Sequence, residues 1–192
     1  MHGKGRGIFS LREMSGAGLF AALTAVLGYV SIPLPFSPVP ITAQTFGVML
    51  AGSLLGAKGG SLSMILYLLI GVVGIPVFAS GSGGIGVLAG PTGGYLLSYP
   101  FAAYIIGTIS SFGSERTSIY KLGIANLLGG IGIIYTFGVL QLNLATNMGW
   151  ESAVVSGALP FIFGDLLKVG VAVVVAHRVR TVFPVISFRS GC

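Results

Sequence analysis

Residues 122–142 read LGIANLLGGIGIIYTFGVLQL and contain no charged side chain. A helix needs about 20 consecutive apolar residues to cross the hydrocarbon core of a bilayer, because each residue advances the helix by about 1.5 Å. This stretch has the required length and character. It therefore predicts a membrane-spanning helix.

The whole chain has the same apolar character. Of its 192 residues, 54% are hydrophobic and 7% are charged, and its mean hydropathy is +0.97. A soluble domain has about 25% charged residues, so the composition excludes a soluble cytosolic enzyme. The single cysteine, Cys192, excludes a disulfide-stabilised scaffold.

Six apolar segments are candidates for membrane-spanning helices, at residues 15–31, 41–55, 61–74, 93–111, 119–142 and 159–177. We therefore predict an all-α integral membrane protein with six transmembrane helices. It forms one membrane domain over residues 1–192, with a basic leader (1–14), a helix bundle (15–178) and a tail (179–192). Several segments are short, so we expect flanking residues to extend them or the bundle to bury them.

The positions of the positive charges predict the orientation. The connections at 32–40, 75–92 and 143–158 contain no lysine or arginine, and Lys168 lies inside a predicted span. The other basic residues fall on the opposite side, which places both termini in the cytoplasm by the positive-inside rule; they are Lys4, Arg6, Arg12, Lys58, Arg116, Lys121, Arg178, Arg180 and Arg189. A cleaved signal peptide is the alternative for the N-terminus, but its removal would break this alternation. The charges form no patch suited to nucleic acid.

A glycine-rich segment lies on the predicted outer side. Residues 71–95 read GVVGIPVFASGSGGIGVLAGPTGGY and are too apolar for a solvated loop. Irregular backbone at membrane depth is tolerated only where protein covers it or where it lines a cavity. We predict that this loop caps a ligand cavity; a purely structural cap is the alternative. The G-x-G-x-x-G spacing at Gly81, Gly83 and Gly86 is no dinucleotide site, because Pro91 interrupts the helix that such a site requires.

Two features of this region suit a ligand. Residues 90–95 resemble a turn that starts a helix, whose free N–H groups suit an anionic group. Tyr95 would add an aromatic wall with a hydroxyl. Alternatively, Tyr95 and Tyr99 are anchors at the membrane interface.

The last predicted span contains two charged residues. Asp165 and Lys168 are three positions apart, so they share one face of a helix. Each charge costs about 2.5–3.5 kcal/mol near the bilayer centre, so both must face the bundle interior. They form either a ligand site or a structural ion pair. Gln44 and Asn126 could add amide groups to such a site, or could bond neighbouring helices.

The first predicted span has small residues at four-residue intervals, namely Ala17, Ala21 and Ala25. Such spacing lets another helix approach closely. It indicates either internal packing or a docking surface for a separate membrane protein.

Catalytic and metal-binding signatures do not appear in the sequence. There is no nucleophile–histidine arrangement, no CxxC or HExxH motif and no Walker A motif. We therefore expect no catalytic residues, no bound metal and no cofactor.

Several blocks of residues occur in the order that a known family shows. They are PVPITAQT (38–45), LAG (50–52), LLG (54–56), GIPVFA (74–79), GPTGGYL (90–96), PF (160–161) and GDLLK (164–168). These blocks resemble the BioY family, the biotin-binding S components of energy-coupling factor transporters. The resemblance extends from about residue 17 to residue 168.

This resemblance implies a six-helix protein of the cell membrane that binds biotin from outside. It also implies a transmembrane coupling protein and two cytoplasmic ATPases as partners, with the alanine stripe as a docking surface. The implied ligand site contains Asp165 and Lys168 with the 81–95 region, including Gly83, Gly84, Gly93, Gly94 and Tyr95; Phe78, in the GIPVFA block, is a further candidate.

Biotin offers a ureido ring with two N–H donors and one carbonyl, an apolar tail and a carboxylate. We expect Asp165 to accept from the ureido N–H groups and Lys168 to lie near the carboxylate. Alternatives are an S component for another vitamin, a self-sufficient carrier and, least favoured, an intramembrane enzyme.

Overall fold

The computed structural model describes residues 11–111 and 118–182, and these are mostly helical. The helices are α1 (Leu11–Tyr29), α2 (Gln44–Val72), α3 (Ile85–Ala89), α4 (Gly93–Ser111), α5 (Ile119–Asn126), α6 (Ile134–Thr146), α7 (Trp150–Gly157) and α8 (Leu159–Val182). A 3-10 turn spans Ala79–Gly81, and a π-helix at Leu127–Ile133 joins α5 to α6. Four basic residues of the topology argument, Lys4, Arg6, Arg116 and Arg189, lie outside the described residues.

The helices have the length and surface of a membrane protein. Three helical segments are long and apolar enough to cross a membrane, namely Gln44–Val72, Ile119–Thr146 and Leu159–Val182, although the first of them is divided at Gly56. Large apolar side chains also cover the outside of the bundle; on α8, Phe163 is 84% exposed and Leu167 is 71% exposed. Water tolerates such extensive apolar surface poorly, whereas lipid solvates it. The chain is therefore a membrane protein.

Helix α2 reverses direction at Gly56. The φ angle of Gly56 is 74°, in the left-handed region that glycine adopts without strain. Beyond it, Gly60 lies against Gly52, and the Gln44 side chain bonds the hydroxyl of Tyr67. These contacts pair residues at nearly equal distances on either side of Gly56. The element therefore consists of two antiparallel arms, which correspond to the separate segments predicted at 41–55 and 61–74.

The connection between α1 and α2 is a β-hairpin, which corrects the prediction of an entirely helical fold. Strand β1 (Ser31–Leu34) pairs antiparallel with β2 (Ser37–Thr42), with Ser31 opposite Thr42. Four prolines lie between residues 33 and 40. Proline lacks the N–H group that a helix needs, but edge strands tolerate it, and both strands of a hairpin are edges. The short helices α3 and α7 likewise lie in segments predicted as loops.

Aromatic residues form the core beside the hairpin. The Tyr67 ring lies 5.6 Å from that of Phe78 and 6.2 Å from that of Tyr99, measured between centroids. Tyr95 packs against Gly138, where an added methyl group would overlap the ring. These close contacts hold the tyrosine side chains in place. Tyr95 and Tyr99 provide a rigid wall for a cavity inside the bundle.

Candidate functional site

A cavity lies among β2, α2, α4, α6 and α8. It contains about 540 Å³ of empty space, including the part open to solvent. Apolar side chains such as Val39, Leu96, Ile134 and Phe161 form much of its wall. A few polar groups within an apolar wall are typical of small-molecule sites.

The predicted pair of charges lies in this cavity. Lys168 Nζ is 2.7 Å from Asp165 Oδ1, and both residues line the cavity. Asp165 is 2% exposed, and the Lys168 side chain is 20% exposed. Lys168 also donates to the carbonyl oxygen of Thr42 at 2.6 Å and to Thr45 Oγ1 at 3.1 Å. The ammonium group is thus anchored to α8, to the end of β2 and to the start of α2.

Two hydroxyl groups complete the network around Asp165. Thr45 Oγ1 donates to Asp165 Oδ1 at 3.0 Å, and the Tyr135 hydroxyl donates to Oδ2 at 2.6 Å. Neither residue was predicted from the sequence. Each is a hydroxyl-bearing residue within an apolar segment. Such residues are common in membrane helices that hydrogen-bond one another, so residue type alone does not indicate a ligand site.

The π-helix sets the orientation of Tyr135. A π turn contains more residues than an α turn, so it rotates the following helix relative to the preceding one, and π segments occur often at functional sites. A methyl group added at Gly129 or Gly130 would lie 2.5 Å from Ile106 or Met49, respectively. The π-helix therefore packs closely against α4 and α2. Ile134 and Tyr135 follow it directly and line the cavity.

Gln44 and Tyr95, both candidates from the sequence, also line the cavity. Their hydrogen bonds go to the protein itself. Gln44 Nε2 donates to the hydroxyl of Tyr67 and to the carbonyl oxygen of Val77, and the Tyr95 hydroxyl donates to the carbonyl oxygen of Gly157 at 2.7 Å. Tyr95 and Tyr99 are both buried, so neither is an anchor facing lipid headgroups.

The glycine-rich segment reaches the cavity through Ala79 and Thr92. The other candidates in this segment, Phe78, Gly83, Gly84, Gly93 and Gly94, are not part of the cavity wall. Phe78 is buried against Gly71, and the N–H group of Gly84 donates to the Gly71 carbonyl oxygen at 2.7 Å. A methyl group at Gly83, Gly93 or Gly94 would overlap the carbonyl oxygens of Ile75, Leu88 or Phe137, respectively. These glycines permit close backbone packing around the site.

Asn126 lies away from the cavity. Its side chain donates to Ser53 Oγ at 3.0 Å and to the carbonyl oxygen of Leu122 at 2.8 Å. The residue is fully buried. It therefore bonds α5 to α2, which is the alternative that the sequence left open for this amide.

The alanine stripe of α1 mostly faces the bundle. Ala17 and Ala21 are buried, whereas Ala25 is partly exposed. A partner protein could not contact the two buried alanines without separating α1 from the bundle. The exposed small residues of α1 are Ser15, Gly18 and Ala22.

The cavity has the composition that is typical of small-molecule sites. Within residues 11–111 and 118–182, no group of three or more histidine, cysteine, aspartate or glutamate residues could hold a metal ion. The cavity instead combines an apolar wall, a neutralised ion pair and oriented hydroxyl groups. These features define a helical membrane protein with an internal site for a small molecule.

Comparisons with known proteins agree with this class. The model of the BioY family matches residues 1–185, and the chain belongs to that family. It is 40% identical over 170 residues to the biotin transporter BioY of Thermotoga maritima, covering 88% of this chain and 96% of that protein. It is 36% identical over 189 residues to the biotin transporter BioY of Rhizobium etli, covering 94% and 100%, respectively.

A solved structure supports the same assignment. The S-component for biotin from an ECF-type ABC transporter superposes with a TM-score of 0.84 at 32% identity, covering 89% of this chain and 92% of that one. The family resemblance read from the sequence blocks is confirmed. The family consists of transport proteins and not of enzymes.

Proposed function

We propose that this chain binds biotin in the cavity and mediates its uptake as the S component of an energy-coupling factor transporter. The observation that supports this most directly is the buried Asp165 carboxylate, oriented by three donors within an apolar cavity. Relatives with 36–40% identity are biotin transporters. Biotin is here the transported ligand and not a cofactor.

The chemistry of the cavity complements biotin. Asp165 Oδ2 accepts one hydrogen bond, from Tyr135, and a carboxylate oxygen has two lone pairs. One acceptor position is thus free for a ureido N–H group. The apolar side chains of the wall suit the fused ring and the aliphatic tail, whose burial provides most of the driving force.

We further propose a multi-pass protein of the cell membrane with six spans. The spans would be α1, the two arms of α2, α4, the continuous α5–π–α6 segment and α8. The first arm of α2 is short, but it is buried in the bundle, with Val48, Met49 and Ala51 fully covered. Neighbouring helices therefore surround this arm, so it does not need the full length of a helix that faces lipid.

The proposed orientation places the cavity on the outer side. Arg180 of α8 donates to the carbonyl oxygen of Ser110 at the end of α4, and Gly107 packs against the turn of α2 beside Lys58. Basic residues thus gather at one end of the bundle, which the positive-inside rule assigns to the cytoplasm. Asp165 lies near the opposite end of α8.

The energy for uptake would come from other chains. We propose a transmembrane coupling protein and two cytoplasmic ATPases as partners, since this sequence has no Walker A motif. Uptake should require all of these chains and should stop when the ATPases lose their catalytic residues. Uptake by this chain alone would contradict this part of the proposal.

Binding is tested by titrating biotin into the purified chain in detergent. Calorimetry should show one tight site, and the emission of Trp150 should change if closure of the outer loops alters its surroundings. Asp165→Asn should weaken binding by about fivefold or more, because hydrogen bonds to a charged acceptor are about 1 kcal/mol stronger than those to a neutral one. Glu151→Gln, on exposed α7, is the matched control and should bind as the wild type does.

An absence of biotin binding by folded protein would refute the assignment of the ligand. Unchanged affinity in Asp165→Asn would refute the assignment of the site.

A further inference from the structure

We infer that the cavity recognises the N–H-bearing ring of its ligand and provides no cation for the carboxylate, so that neutral carboxylate derivatives of biotin bind nearly as well as biotin. This inference rests on the proposed function. It differs from the expectation that Lys168 lies near the carboxylate. The supporting observation is the distribution of hydrogen-bond donors around the cavity.

Lys168 has no proton left for a ligand. An ammonium group has three donors, and Lys168 directs them to Thr42, Thr45 and Asp165 at 2.6, 3.1 and 2.7 Å. Its charge is neutralised by Asp165. Among the described residues of the cavity wall, Lys168 is the one lysine or arginine.

Other donors of the wall are also engaged within the protein. The Gln44 amide donates to Tyr67 and Val77, and the Tyr95 hydroxyl donates to Gly157. The hydroxyls of Thr45 and Tyr135 both donate to Asp165. The Thr92 hydroxyl, at the start of α4, is a neutral donor in the wall. A hydroxyl can donate to an amide or ester carbonyl as well as to a carboxylate.

The hydrogen-bond network around Asp165 leaves only acceptor groups free for a ligand. Asp165 Oδ2 keeps one lone pair, and the Tyr135 oxygen, whose proton points to Asp165, can accept in turn. These neighbouring acceptors can bond one N–H group of a ureido ring, whose two N–H groups point in different directions. A carboxylate, which only accepts, would find no complement beside them.

Drawing Lys168 toward a ligand carboxylate would undo this arrangement. The ammonium would have to leave the Thr42 carbonyl, the Thr45 hydroxyl and Asp165, and the Asp165 charge would then remain buried without its cation. Buried charges that lose their partner are strongly unfavourable. We therefore place the carboxylate of biotin away from Lys168.

The test compares three ligands on the purified wild-type chain by calorimetry. Biotinamide is neutral and nearly the same size as biotin, and it should bind within about fivefold of biotin, since no charged hydrogen bond is lost. A biotin analogue methylated on both ureido nitrogens should bind at least about fiftyfold more weakly, because a site built to bond an N–H group rejects analogues that lack it.

The outcomes separate this inference from the proposed function. If biotin binds and biotinamide binds about fiftyfold more weakly, the inference is wrong and the biotin assignment stands. If the methylated analogue binds as tightly as biotin, ring recognition through these acceptors is likewise wrong. If folded protein binds none of the three ligands, the proposed function fails and the inference fails with it.

Discussion

Replacing Lys168 by methionine should destabilise the protein strongly, although the side chains are of similar length. The change removes the cation but leaves the Asp165 carboxylate, which is 2% exposed, in an apolar site. Breaking a buried ion pair by removing one partner costs about 3–5 kcal/mol. Because the Lys168 side chain is 20% exposed, water can partly compensate. We therefore expect the lower value, about 3 kcal/mol.

Thermal unfolding in detergent measures this effect. For chains of about 150–250 residues, each 1 kcal/mol lowers the Tm by about 2–4 °C, which predicts a decrease of about 6–12 °C. The double variant Asp165→Asn/Lys168→Met should recover most of this loss, because it leaves no unpaired buried charge. Lys58→Met, at an exposed position of α2, is the matched control and should unfold as the wild type does.

Two results would refute this reasoning. One is a Lys168→Met variant as stable as the wild type, which would mean that the Asp165 charge is solvated in the folded protein. The other is a double variant whose loss equals the sum of both single losses, since independent sites add and paired charges do not.

Three further substitutions test the packing around the site. Asn126→Leu should cost about 1–3 kcal/mol, because it leaves Ser53 without its buried partner, while biotin affinity of the folded protein stays unchanged. Gly138→Ala should cost about 1–3 kcal/mol and weaken biotin binding, because the added methyl group displaces the Tyr95 ring from the cavity wall. Ala21→Leu should lower the Tm through overpacking against α2, since Ala21 is 2% exposed.

Each substitution has a control and a contrary result. A methyl group added at Gly164 would meet no atom within 4 Å, so Gly164→Ala should leave the stability nearly unchanged. Equal losses of stability in Gly164→Ala and Gly138→Ala would contradict the packing argument. Ala22→Leu lies on the exposed face of α1 and should leave the Tm unchanged. A changed biotin affinity in Asn126→Leu would show that Asn126 belongs to the ligand site.

The positions of several long helices could be predicted closely because their signal is local. The prediction of a helix at 93–111 matches α4, and the segment at 119–142 corresponds to the continuous helix that ends at Thr146. A run of about 20 apolar residues has few alternatives to a helix in lipid, where unpaired backbone groups are costly. The β-hairpin was missed because its short, proline-containing strands include no long apolar run. Its position beside the cavity depends on tertiary packing, which the sequence alone did not show.

The candidate site was predicted in part for the same reason. Asp165 and Lys168 are three positions apart on one helix, so their contact follows from helix geometry alone. Gly93, Gly94 and Asn126 were candidates by residue type and motif, but the structure places them in packing contacts outside the cavity. Residue type does not show which side of a helix meets the cavity.

By itself, the sequence determined that this is a helical membrane protein with two charged residues on one helix face toward the bundle interior, since hydropathy and helical spacing act over neighbouring residues. Only the tertiary structure decided how that pair is used. The partners of Asp165 at Thr45 and Tyr135 lie 120 and 30 positions away, and Lys168 bonds Thr42 across 126 positions. Such contacts depend on how the helices pack laterally and on the rotation that the π-helix introduces. Together they leave the cavity with free acceptors and without a free cation.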